Sequence, residues 1–161
     1  MNLIASLLPL SNVVVDLEAN SKKRAFEQAG QLFEKNHQIS HTQVFDSLFA
    51  REKLGSTGLG QGVAIPHGRI KGLSSALGAF IKFKSPVPFD APDNKPVSLL
   101  FILLVPEHAT DLHLQLLSEL AQIFSDKALR ERMLACTDSA QLHQLITGWN
   151  GHVADQRTAA H

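Results

Sequence analysis

His67 lies in the stretch Gly55-Ser56-Thr57-Gly58-Leu59-Gly60-Gln61-Gly62-Val63-Ala64-Ile65-Pro66-His67-Gly68-Arg69. An imidazole is nucleophilic near neutral pH and departs readily once phosphorylated, which makes histidine a suitable phosphoryl relay. Such a relay requires a ring held in one orientation, donors for the phosphoryl oxygens and an open face for a partner. Pro66 restricts the backbone before the ring and Gly68 leaves room beside it. Four glycines fall between residues 55 and 62, a density that a helix interior tolerates poorly. Backbone N–H groups of this run, among them Gly58, can form an anion nest, and the Ser56 and Thr57 hydroxyls can add donors to the phosphoryl oxygens. Arg51, a few residues upstream, can neutralise developing charge. His113 stands near the start of a predicted helix that follows the most apolar strand. Adjoining strand ends can bring it to His67, either to bond the phosphoryl oxygens or to fix the tautomer of the ring.

Taken alone, these residues leave blander readings open. The glycine run lacks the Gly-Lys-Ser/Thr ending of a P-loop and the spacing of a dinucleotide fingerprint, so it also fits a structural loop. His67 also fits a satisfied loop histidine, and His113 a polar position on an amphipathic helix. Histidines 37, 41, 108, 143, 152 and 161 have no supporting neighbourhood, and His37 with His41 lacks a zinc-site pattern. Asp90, Asp93 and Asp111 read as turn and cap residues, and Cys136 as a small buried hydrophobe. No metal or cofactor is expected.

The elements that must position these groups are legible from periodicity. Val13-Val14-Val15 predicts a strand. Asn20 or Ser21 caps a helix from Lys22 to about Lys35, with Ala25, Phe26, Ala29, Leu32 and Phe33 on one face. Ser40 starts a second helix, with Gln43 completing a capping box. Val44, Phe45, Leu48 and Phe49 form its buried stripe, and Gly55 stops it. The segment after the glycines predicts a strand presenting His67 at its end. Ala76 to Phe83 is a strand, Pro86 and Pro88 interrupt the next piece, and residues 90–94 form a turn. Val97 to Val105 predicts a central strand buried on both faces. Asp111 caps a third helix, Asp126 or Lys127 opens a short one through Met133, and Asp138 caps the last through Ile146. The sum is an α/β domain with helices on both faces of a mixed central sheet, over residues 1–149, with residues 150–161 as a frayed tail.

Composition bounds the partners. The 161 residues are 44% hydrophobic, with nine Phe, one Trp and no Tyr, which is a folded globular composition. Fifteen basic residues balance fifteen acidic ones, and their scatter resembles no nucleic-acid footprint. One cysteine excludes an intrachain disulfide framework. No apolar run approaches the ~20 residues of a membrane span. The start lacks a basic leader with a cleavage site, so a cytoplasmic chain is expected.

The block from Arg51 to Arg69 resembles the active-site block of the fructose/mannitol-type enzyme IIA domains of the bacterial phosphotransferase system. Within them it is most similar to the stand-alone nitrogen-regulatory enzyme IIA. Asp90-Ala91-Pro92-Asp93-Asn94-Lys95-Pro96-Val97, Leu103-Leu104-Val105-Pro106 and His113-Leu114-Gln115-Leu116-Leu117 match in order and spacing, so the resemblance covers residues 3–148. It implies the phosphohistidine at His67, a second active-centre histidine at His113 and the family's arginine at Arg51. It also implies a phosphocarrier donor of the HPr type and no metal. Some regulatory members carry another histidine where this chain has Gln115. The function implied is a phosphoryl relay rather than turnover of a small molecule. Its phosphorylation state switches binding to regulatory partners such as potassium transporters or sensor kinases. A sugar-specific IIA passing phosphate to a IIB domain is the alternative. A hydrolase or metalloenzyme, and an interaction module with an inert histidine, are readings from other classes.

Overall fold

A computed structural model describes residues 2–150; the tail expected at 150–161 lies almost wholly outside them. Two short 3-10 helices, Leu3–Ser6 and Leu10–Asn12, lead into β1 (Val13–Leu17). Helices α1 (Lys22–His37) and α2 (His41–Leu54) follow, then β2 (Gly58–Gly60), β3 (Val63–Ala64), β4 (His67–Ile70), β5 (Leu77–Val87) and β6 (Val97–Pro106). Helices α3 (Thr110–Ser125), α4 (Lys127–Ala135) and α5 (Ser139–Gly148) complete the chain. The six strands form one mixed sheet in the order β1-β5-β6-β3-β2, with β4 also paired to β6.

β6 is the axis of the sheet, as its strongly apolar run predicts. Its residues alternate between two cores: Leu99, Phe101, Leu103 and Val105 face α3, α4 and α5. Leu100, Ile102 and Leu104 face α1 and α2. β5 runs antiparallel on one side of it, while β3 and β4 run parallel on the other. A strand buried on both faces must be apolar along its buried steps, and this one is from Leu99 to Val105, after the half-buried Ser98 near its start.

Local signals set the helix ends. Ser21, Ser40, Asp126 and Asp138 each accept a hydrogen bond from the backbone N–H three residues on, satisfying donors that the first helical turn leaves free. Four expectations are corrected. Gln43 donates its side-chain amide to the Lys71 carbonyl at 3.1 Å rather than closing a capping box. Asp111 lies inside the first turn of α3, and Ala109 occupies the cap position with no side-chain bond. β5 continues through Pro86 to Val87; its pairing with β6 shifts register between Lys82 and Val87, and a proline without an N–H is tolerated in such an irregular stretch. His67 opens a strand rather than ending one, because Ile65-Pro66 breaks the edge between β3 and β4.

Gly68 sets the distance between α2 and the sheet. A Cβ built on it would lie 3.1 Å from Ser47 Cβ and 3.3 Å from the Ser47 carbonyl carbon, while Ser47 Oγ donates to the Arg69 carbonyl at 2.9 Å. Gly68→Ala must push the helix outward, an overpacking cost of about 1–3 kcal/mol. Chemical denaturation should show a lowered midpoint with an unchanged slope; an unchanged midpoint would mean that the helix yields freely.

Candidate functional site

The register of β4 decides where His67 points. His67 is level with Leu103 and Arg69 with Val105, residues that face the α3 layer. Gly68 and Ile70 turn the other way, toward α2. His113, in the first turn of α3, therefore shares a sheet face with His67. The two rings meet edge to face, centroids 5.1 Å apart at 68°. Arg51 comes from the opposite layer. β4 pairs on one side only, with β6, so the last turn of α2 reaches His67 past the unpaired edge. Its Nε donates to His67 Nε2 at 3.3 Å and its Nη1 to the Gly55 carbonyl at 2.9 Å.

Both nitrogens of His67 are thus assigned. Nδ1 lies 2.9 Å from the Ile65 carbonyl, which can only accept, so Nδ1 carries the proton and Nε2 holds the lone pair. The ring is half-buried. Burial pushes its pKa below the ordinary histidine range; the Ile65 carbonyl pulls it back up, the Arg51 charge lowers it and Glu52 raises it. His113 is lowered too, by burial first and then by His67, Arg69 and Arg51. Its Nε2 is buried without a hydrogen-bond partner, a polar atom that gains from an incoming partner. Two neutral imidazoles, one presenting a nucleophilic nitrogen beside a guanidinium, can accept an electrophilic phosphorus.

These lowered values tie stability to pH. A ring that resists protonation when folded but takes a proton near 6.5 when unfolded leaves stability intact above that value. Stability is lost as pH falls through 6.5 toward the folded pKa. Denaturation midpoints should decline below pH 6.5, and less steeply in His67→Gln; identical slopes for the two proteins would contradict the lowered value at His67.

The glycine run does something other than expected. β2 and β3 form an antiparallel hairpin whose tip residues Gln61 and Gly62 have φ of 59° and 79°, the left-handed pair that tight hairpin turns demand. Its amides are taken within the protein: Thr57 N by Glu52, Gly58 N by Ser56 Oγ and Gln61 N by Asp93. The Ser56 hydroxyl donates to the Phe89 carbonyl at 3.0 Å and that of Thr57 to Glu52 at 2.6 Å. In this structure the Ser56 and Thr57 hydroxyls and the Thr57 and Gly58 amides are held by protein acceptors, and the run forms a hairpin. Two further residues gain a place that their sequence neighbourhood does not announce. Glu52 is one, a buried carboxylate that also meets Lys22 Nζ at 3.0 Å. Arg69 is the other: it faces the His113 side of β4 and donates to the Glu107 carbonyl, and its i, i+2 spacing from His67 is the available signal. Among the described residues no group of three His, Cys, Asp or Glu side chains could hold a metal ion, and no helix is long and apolar enough to cross a membrane.

Residues 6–149 match the family model described as phosphoenolpyruvate-dependent sugar phosphotransferase system, EIIA 2. The chain belongs to this enzyme IIA family. This enzyme IIA is 42% identical to the nitrogen regulatory protein of Klebsiella oxytoca over 149 residues, covering 88% of this chain and 92% of that one. It is 31% identical over 150 residues to a fructose-specific EIIA component of Haloferax volcanii, covering 89% and 94%. The crystal structure of nitrogen regulatory protein IIA-Ntr from Neisseria meningitidis superposes with a TM-score of 0.85 at 58% identity, over 89% of this enzyme IIA and 99% of that chain. The mixed α/β architecture is thus the fold of this family.

Proposed function

We propose that this enzyme IIA accepts a phosphoryl group on His67 Nε2 from a phosphocarrier protein of the HPr type, and that the charged state changes which proteins it binds. The observation that carries this is the pair of contacts on the ring: a proton held on Nδ1 by the Ile65 carbonyl, and a lone pair on Nε2 facing Arg51. The Nε2 lone pair forms the new N–P bond while the N–P bond of the donor breaks and its electron pair returns to the donor ring. Charge balances when one proton passes from His67 Nδ1 through solvent to that departing nitrogen. Arg51 and His113 supply donors to the phosphoryl oxygens, so the chain's own residues suffice for transfer without a metal or cofactor.

The surroundings suit a protein rather than a small substrate. Leu54, beside Arg51 on the same helix, is 84% exposed, and Leu112 and Leu114, flanking His113, are 39% and 63% exposed. Apolar side chains around a cationic centre fit a docking partner that hides its core and delivers a phosphate. Adding about −1.5 to −2 charges there reverses the local sign, which repels one partner and recruits another.

The greater identity to nitrogen regulatory proteins, 42% against 31% for the fructose-specific component, favours a cytoplasmic regulatory switch. Its partners would be potassium transporters or sensor kinases, in nitrogen and potassium regulation. Passing phosphate to a IIB domain for sugar uptake is the alternative.

Incubation with phosphorylated carrier and mapping of the label by mass spectrometry tests the relay. One phosphoryl group at residue 67 is expected; label elsewhere, or none, overturns it. Capture of partners by charged and uncharged protein side by side separates a switch from an inert interaction module.

A further inference from the structure

Glu52 sits at the end of α2 with its side chain 4% exposed, and the phosphoryl chemistry gives it no task. Its contacts nevertheless lead to Nδ1 of His67. Oε2 accepts from Thr57 N at 3.1 Å and Oε1 from the Thr57 hydroxyl at 2.6 Å, while Lys22 Nζ holds the same carboxylate at 3.0 Å. From Thr57 the path runs forward: the Thr57 carbonyl accepts Ile65 N at 3.0 Å, and the Ile65 carbonyl then takes the Nδ1 proton of His67 at 2.9 Å. The seat of Arg51 is set separately, by the main chain: Gly55 N donates to the Glu52 backbone carbonyl at 3.2 Å, and the Gly55 carbonyl holds Arg51 Nη1 at 2.9 Å, leaving Nε on His67 Nε2.

We infer that Glu52 is the positioning residue of the relay: by clamping Thr57 through its carboxylate it fixes the peptide plane of Ile65, and through it the tautomer of His67. This rests on the phosphoryl reading for its consequence, but not for its geometry. A carboxylate buried in a helix end is costly unless fully bonded, and here every bond that it makes is spent on the 55–57 segment or on Lys22. A merely structural carboxylate could satisfy Lys22 alone. Two bonds to one residue define that residue's orientation, and orientation is what the Thr57 and Ile65 carbonyls pass on to His67.

The test compares Glu52→Gln, Thr57→Val and Thr57→Ser in the full chain. Glutamine keeps the shape but offers one acceptor oxygen, so it cannot take both Thr57 donors while facing Lys22. Valine removes only the 2.6 Å hydroxyl bond, and serine restores it. The tautomer of His67, read by long-range nitrogen–proton NMR in unphosphorylated protein, should be the Nδ1–H form in the parent and in Thr57→Ser. It should be mixed in Glu52→Gln and Thr57→Val. The rate of phosphoryl acceptance should fall about tenfold or more in the same two variants, with the KM for the carrier unchanged. Loss of the carboxylate charge should also lower the His67 pKa further in Glu52→Gln, since Glu52 raises it. If Glu52→Gln fails to fold, Thr57→Val against Thr57→Ser carries the decision. An unchanged tautomer in a folded variant overturns the inference. A parent that is never labelled at residue 67 overturns the phosphoryl reading while the tautomer result still stands.

Discussion

Glutamine in place of His67 should abolish the proposed phosphoryl acceptance outright, a loss of every detectable count of label, while the protein stays folded. The side chain is half-buried rather than part of either apolar core, so little packing is lost. Glutamine is near in size and can still donate toward the Ile65 carbonyl. It has no ring nitrogen with a free lone pair, so no N–P bond can form. The neighbouring ring should not substitute: His113 Nε2 is buried, placed beside a phosphoryl group seated on His67 rather than open to the donor. The measurement is stoichiometric labelling beside a circular dichroism melt. A glutamine variant that accepts a full equivalent of phosphate removes His67 from the mechanism, whatever the geometry around it.

Arg51→Ala slows acceptance by about a hundredfold, and the direction comes from comparing two opposed effects. In the resting protein Arg51 Nε covers the Nε2 lone pair, so its removal frees the nucleophile. That bond is 3.3 Å long, beyond the usual range for N–H donors and correspondingly weak. Against it stands the loss of a cationic donor to a phosphoryl group in flight, where removing one such donor costs about 10²–10³ in rate. The second effect wins. The pH profile carries an independent signature. Arg51 lowers the His67 pKa, so the alanine variant titrates higher and its acid limb moves toward neutral pH. Transfer rates across pH 5–8 check both parts; an alanine variant as fast as the parent would assign Arg51 to folding alone.

Much of this molecule is written in short-range signals. Ser21, Ser40, Asp126 and Asp138 cap the helices that their positions announce, because a cap bond spans three residues and depends on nothing distant. β6 is legible since burial on both faces leaves no polar position from Leu99 to Val105. The pairing of His67 with His113 comes from placing one on a strand beside β6 and the other on the helix after it. The features that are not legible depend on tertiary partners. Pro66 reads as a stop, but the sheet resumes beyond it because β6 continues to offer carbonyls and amides, and Leu103 N reaches the Pro66 carbonyl at 3.0 Å. Gly60-Gln61-Gly62 reads as a cradle for an anion, yet a hairpin tip requires the same left-handed backbone. Glu52 reads as one more charge on a helix end, since its burial depends on Lys22, thirty residues away. Asp111 reads as a cap because nothing local distinguishes it from a residue one turn position further in.

The two layers that sandwich the sheet each lend one group to His67: Arg51 from the pair α1–α2, His113 from the trio α3–α5. Neither layer alone can supply both, so the centre behaves as a coincidence device that closes only when both halves are docked. Partial melting of one half, far from the ring, would silence the relay before the chain as a whole came apart. On the proposed phosphoryl role, a labelled molecule would certify its own assembly, and a partner that reads the label would be spared the wreckage of misfolded copies.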